Sequence, residues 1–367
     1  MTRLNDTTPI PPGPRSGFPR EPASGGENGG PSVVTLTANP SLDRTLSLPG
    51  VLERGGVVRL APSSTEPGGK GVNVSRAVAA AGADVVSVLP AGDLDPIVTA
   101  LRELGLRLAT VPVATPVRTN YTLTEPDGTT TKLNEPGAPL DEDTRTALTA
   151  ALHQHADGAR WVVLAGSLPT GTPPDWYATL VRALRGTGAR IAVDTSEGPL
   201  LALLAAGPDA APDLLKPNTE ELAQLAGVSE EIVVSDPAAA LAAVGTLHAR
   251  GVAEVLLTLG ADGALLSTAD GELWSARPPR ITVRSTVGAG DCSLAGYLLA
   301  DLAGASADER LRSAVAYGAA SASLPGSAVP TPAQVDLASV QVTAGAPGTQ
   351  PSHPTPTPVT AAGRDGR

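Results

Sequence analysis

From Asp141 onward the sequence alternates helix-length segments with short apolar runs, and this rhythm narrows the available folds more than any other feature. Strand-sized runs at Trp161–Ala165, 191–194 and 255–259 are separated by stretches that begin as helices at Asp141, Pro174 and Pro199. Strands buried on both faces read as continuous apolar runs, and the helices between them supply the crossovers that parallel pairing needs. The pattern predicts an α/β fold, a doubly wound and mostly parallel sheet with helices on both faces. Segments 32–38 and 85–89 have the same strand character. Aromatic residues are only 2% of the chain, so such a core must be built from Ala, Val and Leu.

Other segments do not join the rhythm. Residues 119–124 and 129–133 flank the turn Pro126-Asp127-Gly128 and read as a hairpin, while 45–48 and 57–60 read as short strands leaving the main sheet as a flap. Together they predict a small β-sheet lid at about 43–61 and 107–134. Residues 1–31 and 341–367 mix Pro, Gly, Ser and Thr without periodicity and read as disordered tails around a single domain at 32–340.

Charge and cysteine usage remove several function classes. A net charge of −11 argues against a dedicated nucleic-acid binder, which must neutralise many phosphates. One cysteine, Cys292, excludes an internal disulfide framework, and it cannot form a metal cluster with four scattered histidines. His153 and His155 read as helix-surface residues. No apolar stretch is long enough to span a membrane and no leader pattern opens the chain, so a cytoplasmic protein without a membrane partner is expected.

Two glycine turns carry the chemistry. Gly288, Ala289 and Gly290 leave backbone N–H groups uncovered before an apolar helix, which seats an anion at the helix N-terminus. Asp291 follows directly. A carboxylate there can take a proton from an attacking hydroxyl as a general base, or it can simply cap the helix. The other turn, Gly68-Gly69-Lys70, opens a helix containing Asn73 and offers a polar ligand close backbone approach, a charge and a donor. It lacks the GxxxxGK[ST] spacing of a Walker loop, and no GxGxxG follows the first strand as a dinucleotide oxidoreductase would require.

Four further positions remain open on residue type alone. Asp43, at a strand end, can hold a substrate hydroxyl or cap a turn. Arg118 can fork onto a phosphate or stand solvated at a strand end. Asn218 and Glu221, three apart in a first helical turn, can both face a hydrated Mg²⁺, with Thr219 as the helix cap. The small-residue helix at 311–323 is flat enough to lie beneath a purine.

In combination, Gly68-Gly-Lys-Gly-Val-Asn-Val-Ser-Arg76 and Val287-Gly-Ala-Gly-Asp-Cys-Ser-Leu-Ala-Gly296 resemble the two signatures of the PfkB (ribokinase-like) family of sugar kinases. Asn39-Pro-Ser-Leu-Asp43, Gly166-Ser-Leu-Pro169, Lys216-Pro-Asn-Thr-Glu-Glu221 and Thr258-Leu-Gly-Ala-Asp-Gly263 fall between and around them in matching order. The opening segment and Asn134-Glu-Pro-Gly137 are most similar to the hexose-phosphate branch.

The resemblance implies ATP-dependent phosphorylation of a hexose phosphate with Mg²⁺. Fructose 1-phosphate is the favoured acceptor, and tagatose 6-phosphate and fructose 6-phosphate are the alternatives. It implies Asp291 as base with Gly288, Ala289 and Gly290 as anion hole. Asp43, Gly68, Gly69, Lys70 and Asn73 would grip the sugar, while Arg118 and Ser167 would hold its existing phosphate. Lys216, Asn218 and Glu221 would serve nucleotide phosphates and metal, and Thr258, Gly260 and Gly263 would line the ATP site. It also implies a lid that mediates a homodimer. A sugar-phosphate sensor without turnover is the alternative from another class. The sequence departs from the branch at Gly55-Gly-Val-Val-Arg59, where an Asn precedes the Arg in relatives, and at Cys292, where Ser or Thr is usual.

Overall fold

The computed structural model describes residues 30–61 and 63–345. The strands are β1 (Val33–Thr37), β2 (Ser41–Ser47), β3 (Ser64–Gly68), β4 (Val85–Pro90), β5 (Arg107–Val111), β6 (Arg118–Thr124) and β7 (Thr130–Asn134). They continue as β8 (Trp161–Ala165), β9 (Arg190–Asp194), β10 (Leu214–Leu215), β11 (Glu254–Thr258), β12 (Ala264–Thr268), β13 (Leu273–Arg277) and β14 (Gln341–Ala344). Ten of them form one sheet in the order β14-β13-β12-β11-β10-β9-β8-β1-β4-β5. From β5 to β11 every neighbouring pair is parallel, and β12 to β14 add an antiparallel edge.

The helices are α1 (Lys70–Ala80), α2 (Pro96–Glu103), α3 (Glu142–Ala156), α4 (Trp176–Leu184), α5 (Glu197–Ala205), α6 (Thr219–Ala226), α7 (Glu230–Ser235), α8 (Pro237–Ala249), α9 (Ala289–Leu302) and α10 (Ala307–Ala322). Successive residues of β1 serve opposite layers. Val33 belongs to the buried cluster that includes Val74, Trp161, Leu294 and Tyr297 on the α1, α9 and α10 side, whereas Val34 belongs to the cluster that includes Leu148, Leu180 and Val244 on the α3, α4 and α8 side. Each fully buried side chain of this size contributes about 1.5–3 kcal/mol, so many small aliphatics replace the missing aromatics.

Strand β1 lies between β4, which follows it through α1, and β8, which is reached only after the lid and α3. The winding reverses there, and a crevice opens at the C-terminal ends of β1 and β8. The second sheet, β3-β2-β6-β7, stands beside that crevice.

Four boundaries differ from the sequence expectation. Segment 57–60 forms no strand, and Val57 is 87% exposed; its place beside β2 is taken by β3, an edge strand whose Pro67 needs no ladder donor. Strand β5 belongs to the main sheet, paired with β4, so the lid excludes 107–111. Residues 341–344 pair with β13 as β14, with Val342 against the core, and the domain therefore runs past 340. Helix α2 was not expected, although Asp95-Pro96 marks its start as N-cap and first-turn proline. The tail expectations for 1–29 and 346–367 lie outside the described residues.

Candidate active site

Helix α9 begins at Gly288, whose φ of 77° is open to glycine at little cost, and Asp291 sits in the first turn rather than at the cap. The capping reading of Asp291 is therefore corrected. Its Oδ2 accepts a hydrogen bond from Asn73 Nδ2 at 2.9 Å, which joins the two glycine turns, and the residue is only 6% exposed. Burial raises the Asp291 pKa, and the charge on Asp194 adds to it; Lys70, the Asn73 bond and Lys216 oppose the rise. A raised pKa makes a carboxylate a stronger base toward a hydroxyl proton.

Asp194, which residue type alone did not single out, lies at the centre. It ends β9 and is fully buried, with Lys70 Nζ 3.0 Å from Oδ1 and Lys216 Nζ 3.0 Å from Oδ2. Lys70 also stands 3.9 Å from Asp291 Oδ1. Burial alone would raise the Asp194 pKa, but Lys216 and Lys70 outweigh it and hold the pKa below the ordinary carboxylate value. Burial likewise disfavours the Lys70 ammonium, yet Asp194 and Asp291 prevail and its pKa is raised. An acid closing an apolar strand, Ile191-Ala-Val-Asp194, was the available signal.

Toward β1 the expected sugar and phosphate residues come together. Asp43 Oδ1 accepts from Ser41 Oγ at 2.8 Å and Asn120 Nδ2 at 3.1 Å. A Cβ on Gly68 would lie 2.1 Å from Asp43 Oδ2, so only glycine leaves the carboxylate in place. Arg118 donates to the carbonyls of Glu135 at 2.8 Å and Asn39 at 3.2 Å, and burial lowers its pKa against the pull of Asp43 and Glu135. Asn39 also donates to Ser167 Oγ at 3.4 Å, linking the two residues expected at a substrate phosphate. The Ser167 loop is fixed because the Gly166 carbonyl accepts from both Tyr177 Oη and Thr195 Oγ1 at 2.9 Å. Asn39 and Asn120 were given no role of their own from the sequence because their partners lie in other elements.

Toward β11 one expectation is corrected. Asn218, not Thr219, caps α6, and it forms a reciprocal box with Glu221: Asn218 Oδ1 accepts from Glu221 N at 2.7 Å, while Glu221 Oε2 accepts from Asn218 N at 2.9 Å. The pair is thus engaged with its own helix turn, leaving Glu221 Oε1 as the uncommitted donor atom. Burial and then Asp194 raise the Glu221 pKa. Thr258 bridges to Asn218, and Gly260 and Gly263 form the turn that follows. Among the described residues no group of three or more His, Cys, Asp and Glu is arranged for a metal.

Asn39, Ser167, Asp194, Lys216 and Thr258 therefore lie at or just past the C-terminal ends of β1, β8, β9, β10 and β11 in sheet order. At about 4.8 Å per strand, four steps span roughly 19 Å, room for a phosphosugar and a triphosphate end to end. A family model described as pfkB family carbohydrate kinase matches residues 39–334, which contain this whole series.

The chain belongs to the pfkB family of carbohydrate kinases.

It is 38% identical over 271 residues to a 1-phosphofructokinase of Xanthomonas campestris pv. campestris, covering 73% of this chain and 83% of that one. It is 34% identical to a 1-phosphofructokinase of Vibrio cholerae, covering 78% and 88%. Among solved structures, phosphofructokinase-2 from Escherichia coli in complex with fructose-6-phosphate aligns with a TM-score of 0.72 at 30% identity, over 80% of this chain and 94% of that chain. The fold is ribokinase-like, and the pfkB chain is a sugar-phosphate kinase.

In this kinase Cys292, next to Asp291, is fully buried, and burial pushes its thiol pKa up to about 12. It packs as a small apolar side chain and is not a reactive thiol. No helix among the described residues is long and apolar enough to cross a membrane.

Proposed function

We propose that the protein transfers the γ-phosphoryl group of ATP to the 6-hydroxyl of fructose 1-phosphate, giving fructose 1,6-bisphosphate and ADP. The observation that carries this reading is the buried Asp291 carboxylate, hydrogen-bonded to Asn73 and 3.9 Å from Lys70, in the first turn of the helix that an open glycine turn begins. Asp291 accepts the proton of the attacking hydroxyl as its oxygen bonds to the γ-phosphorus, and the bond to the β-γ bridging oxygen breaks. The Gly288–Gly290 backbone and Lys216 offset charge on the group in transit. Asp43, Gly69, Lys70 and Asn73 orient the sugar, Arg118 and Ser167 hold its 1-phosphate, and Thr258, Gly260 and Gly263 line the nucleotide. The β lid covers the crevice and excludes water.

Glu221 Oε1 and the nucleotide phosphates suit a hydrated Mg²⁺, which keeps most of its water and needs few protein oxygens. When bound it would neutralise charge on the phosphate chain. A cytoplasmic setting, where ATP and sugar phosphates occur, belongs to this reading. So does a homodimer through the lid, on whose outer face strand alternation puts Leu46, Tyr121, Leu123 and Leu133.

Fructose 6-phosphate is the second reading, favoured by 33% identity to the ATP-dependent 6-phosphofructokinase isozyme 2 of Escherichia coli. A coupled ADP-release assay with fructose 1-phosphate, fructose 6-phosphate and tagatose 6-phosphate decides. A kcat/KM at least about tenfold higher for fructose 1-phosphate is expected, a one-phosphate contact difference of the usual size. Preference for another sugar overturns the acceptor assignment, and binding of all three without ADP release makes the protein a sensor.

A further inference from the structure

Of the chain's 26 basic residues only three are lysines, Lys70, Lys132 and Lys216, and the rest are arginines. Lys132 is exposed on β7, and the other two converge on Asp194. A chain that uses arginine almost everywhere keeps lysine at two positions where a planar fork would not serve. An ammonium is a compact charge with three N–H groups, so each can give one bond to a carboxylate and keep others for phosphate oxygens.

The carboxylate between them is rigidly held. Asp194 ends a central strand, its backbone carbonyl accepts from Gly166 N at 2.9 Å, and its side chain has no solvent exposure. Lys70 arrives from the first residue of α1 and Lys216 from the chain just past β10. Lys216 Nζ lies 3.4 Å from where a Cβ on Gly290 would stand, against the glycine turn, and Lys70 lies beside Asp291. Two like charges this close repel each other unless a negative charge separates them. Each Asp194 oxygen faces one ammonium at 3.0 Å, Oδ1 through a hydrogen bond from Lys70 and Oδ2 through the charge of Lys216.

We propose that Asp194 is a positioning residue for phosphoryl transfer: one buried carboxylate holds the sugar-side Lys70 and the nucleotide-side Lys216 on its two oxygens, so that both ammonium groups flank the group in transit. This rests on the functional reading above for which side each lysine serves. The lysines keep Asp194 as a fixed partner and turn their remaining N–H groups to phosphate oxygens, which costs little reorganisation at the moment of reaction.

Asp194→Asn, which keeps the shape and removes the charge, is expected to lower kcat about 100-fold while KM for sugar phosphate and ATP changes less than about threefold, the signature of a loss felt in the transition state. With lysine carrying ¹³C at Cε, the protein has only three side-chain signals to follow. Those of Lys70 and Lys216 should move in Asp194→Asn, the Lys70 titration should fall, and Lys132 should stay. Lys70→Arg and Lys216→Arg, which leave Asp194 intact, should each lose at least about tenfold in kcat despite the conserved charge.

A kcat within threefold of the parent in Asp194→Asn overturns the proposal, as do unmoved Lys70 and Lys216 signals or full activity in either arginine variant. If Asp194→Asn does not fold, the arginine variants decide. If the parent releases no ADP with any hexose phosphate, the functional reading falls by itself, and the lysine signals, read without turnover, still test the clamp.

Discussion

The side-chain amide of Asn73 donates to the Asp291 carboxylate at 2.9 Å across 218 positions of sequence. The bond favours the ionised carboxylate, which is the form that accepts a proton, and so opposes the rise that burial imposes. Asp291 works as a base above its pKa, and activity is lost as pH falls through that value. Removing the donor in Asn73→Ala lets the pKa rise further. The acid limb of kcat/KM should therefore move to higher pH, and a limb that stays in place or moves down contradicts the assignment. KM for the sugar should also increase, since Asn73 is a sugar contact in this account.

Gly68→Ala tests the sugar end. The added Cβ would meet Asp43 Oδ2 at 2.1 Å and displace the carboxylate. Loss of a charged hydrogen bond of about 1.5–3 kcal/mol corresponds to roughly a 10–100-fold rise in KM for the hexose phosphate. KM for ATP should be unchanged. Equal loss for both substrates in steady-state assays would mean that the turn collapses rather than the subsite.

The opposite edge of the sheet predicts stability without activity. Asp301, at the end of α9, accepts from Trp161 Nε1 at 2.8 Å, Arg190 Nη1 at 3.0 Å and Arg310 Nη1 at 3.3 Å. Trp161 and Arg190 begin their strands, whereas Asn39, Ser167, Asp194, Lys216 and Thr258 lie where parallel strands end. Asp301→Ala leaves the buried Trp161 Nε1 without an acceptor and leaves Arg190 and Arg310 with Glu254 as their remaining carboxylate, and should cost about 1–3 kcal/mol, seen as a lower urea midpoint. The variant's kcat/KM at 25 °C should match the parent, and an unchanged midpoint would show that solvent replaces the carboxylate freely.

How far the molecule was legible depends on where each signal resides. Strand β8 was read to the residue because Trp161–Ala165 is one apolar run bounded by polar chain. Strand β3 was invisible because Ser-Thr-Glu-Pro-Gly has no strand character of its own and pairs only because β2 offers an edge. The Asn218 and Glu221 spacing was noticed but assigned to metal; the same spacing is also a capping box, and the backbone geometry decides. Asp194 was missed because its meaning comes from Lys70, 124 positions away, and no local pattern announces such a pairing.

The central claim is that Asp291 is the base. Its direct test is kcat of Asp291→Asn with fructose 1-phosphate and ATP, alongside calorimetric binding of both ligands. Binding should persist while kcat falls by about 100-fold or more, as removal of a positioned general base requires. Turnover near the parent rate would contradict the account.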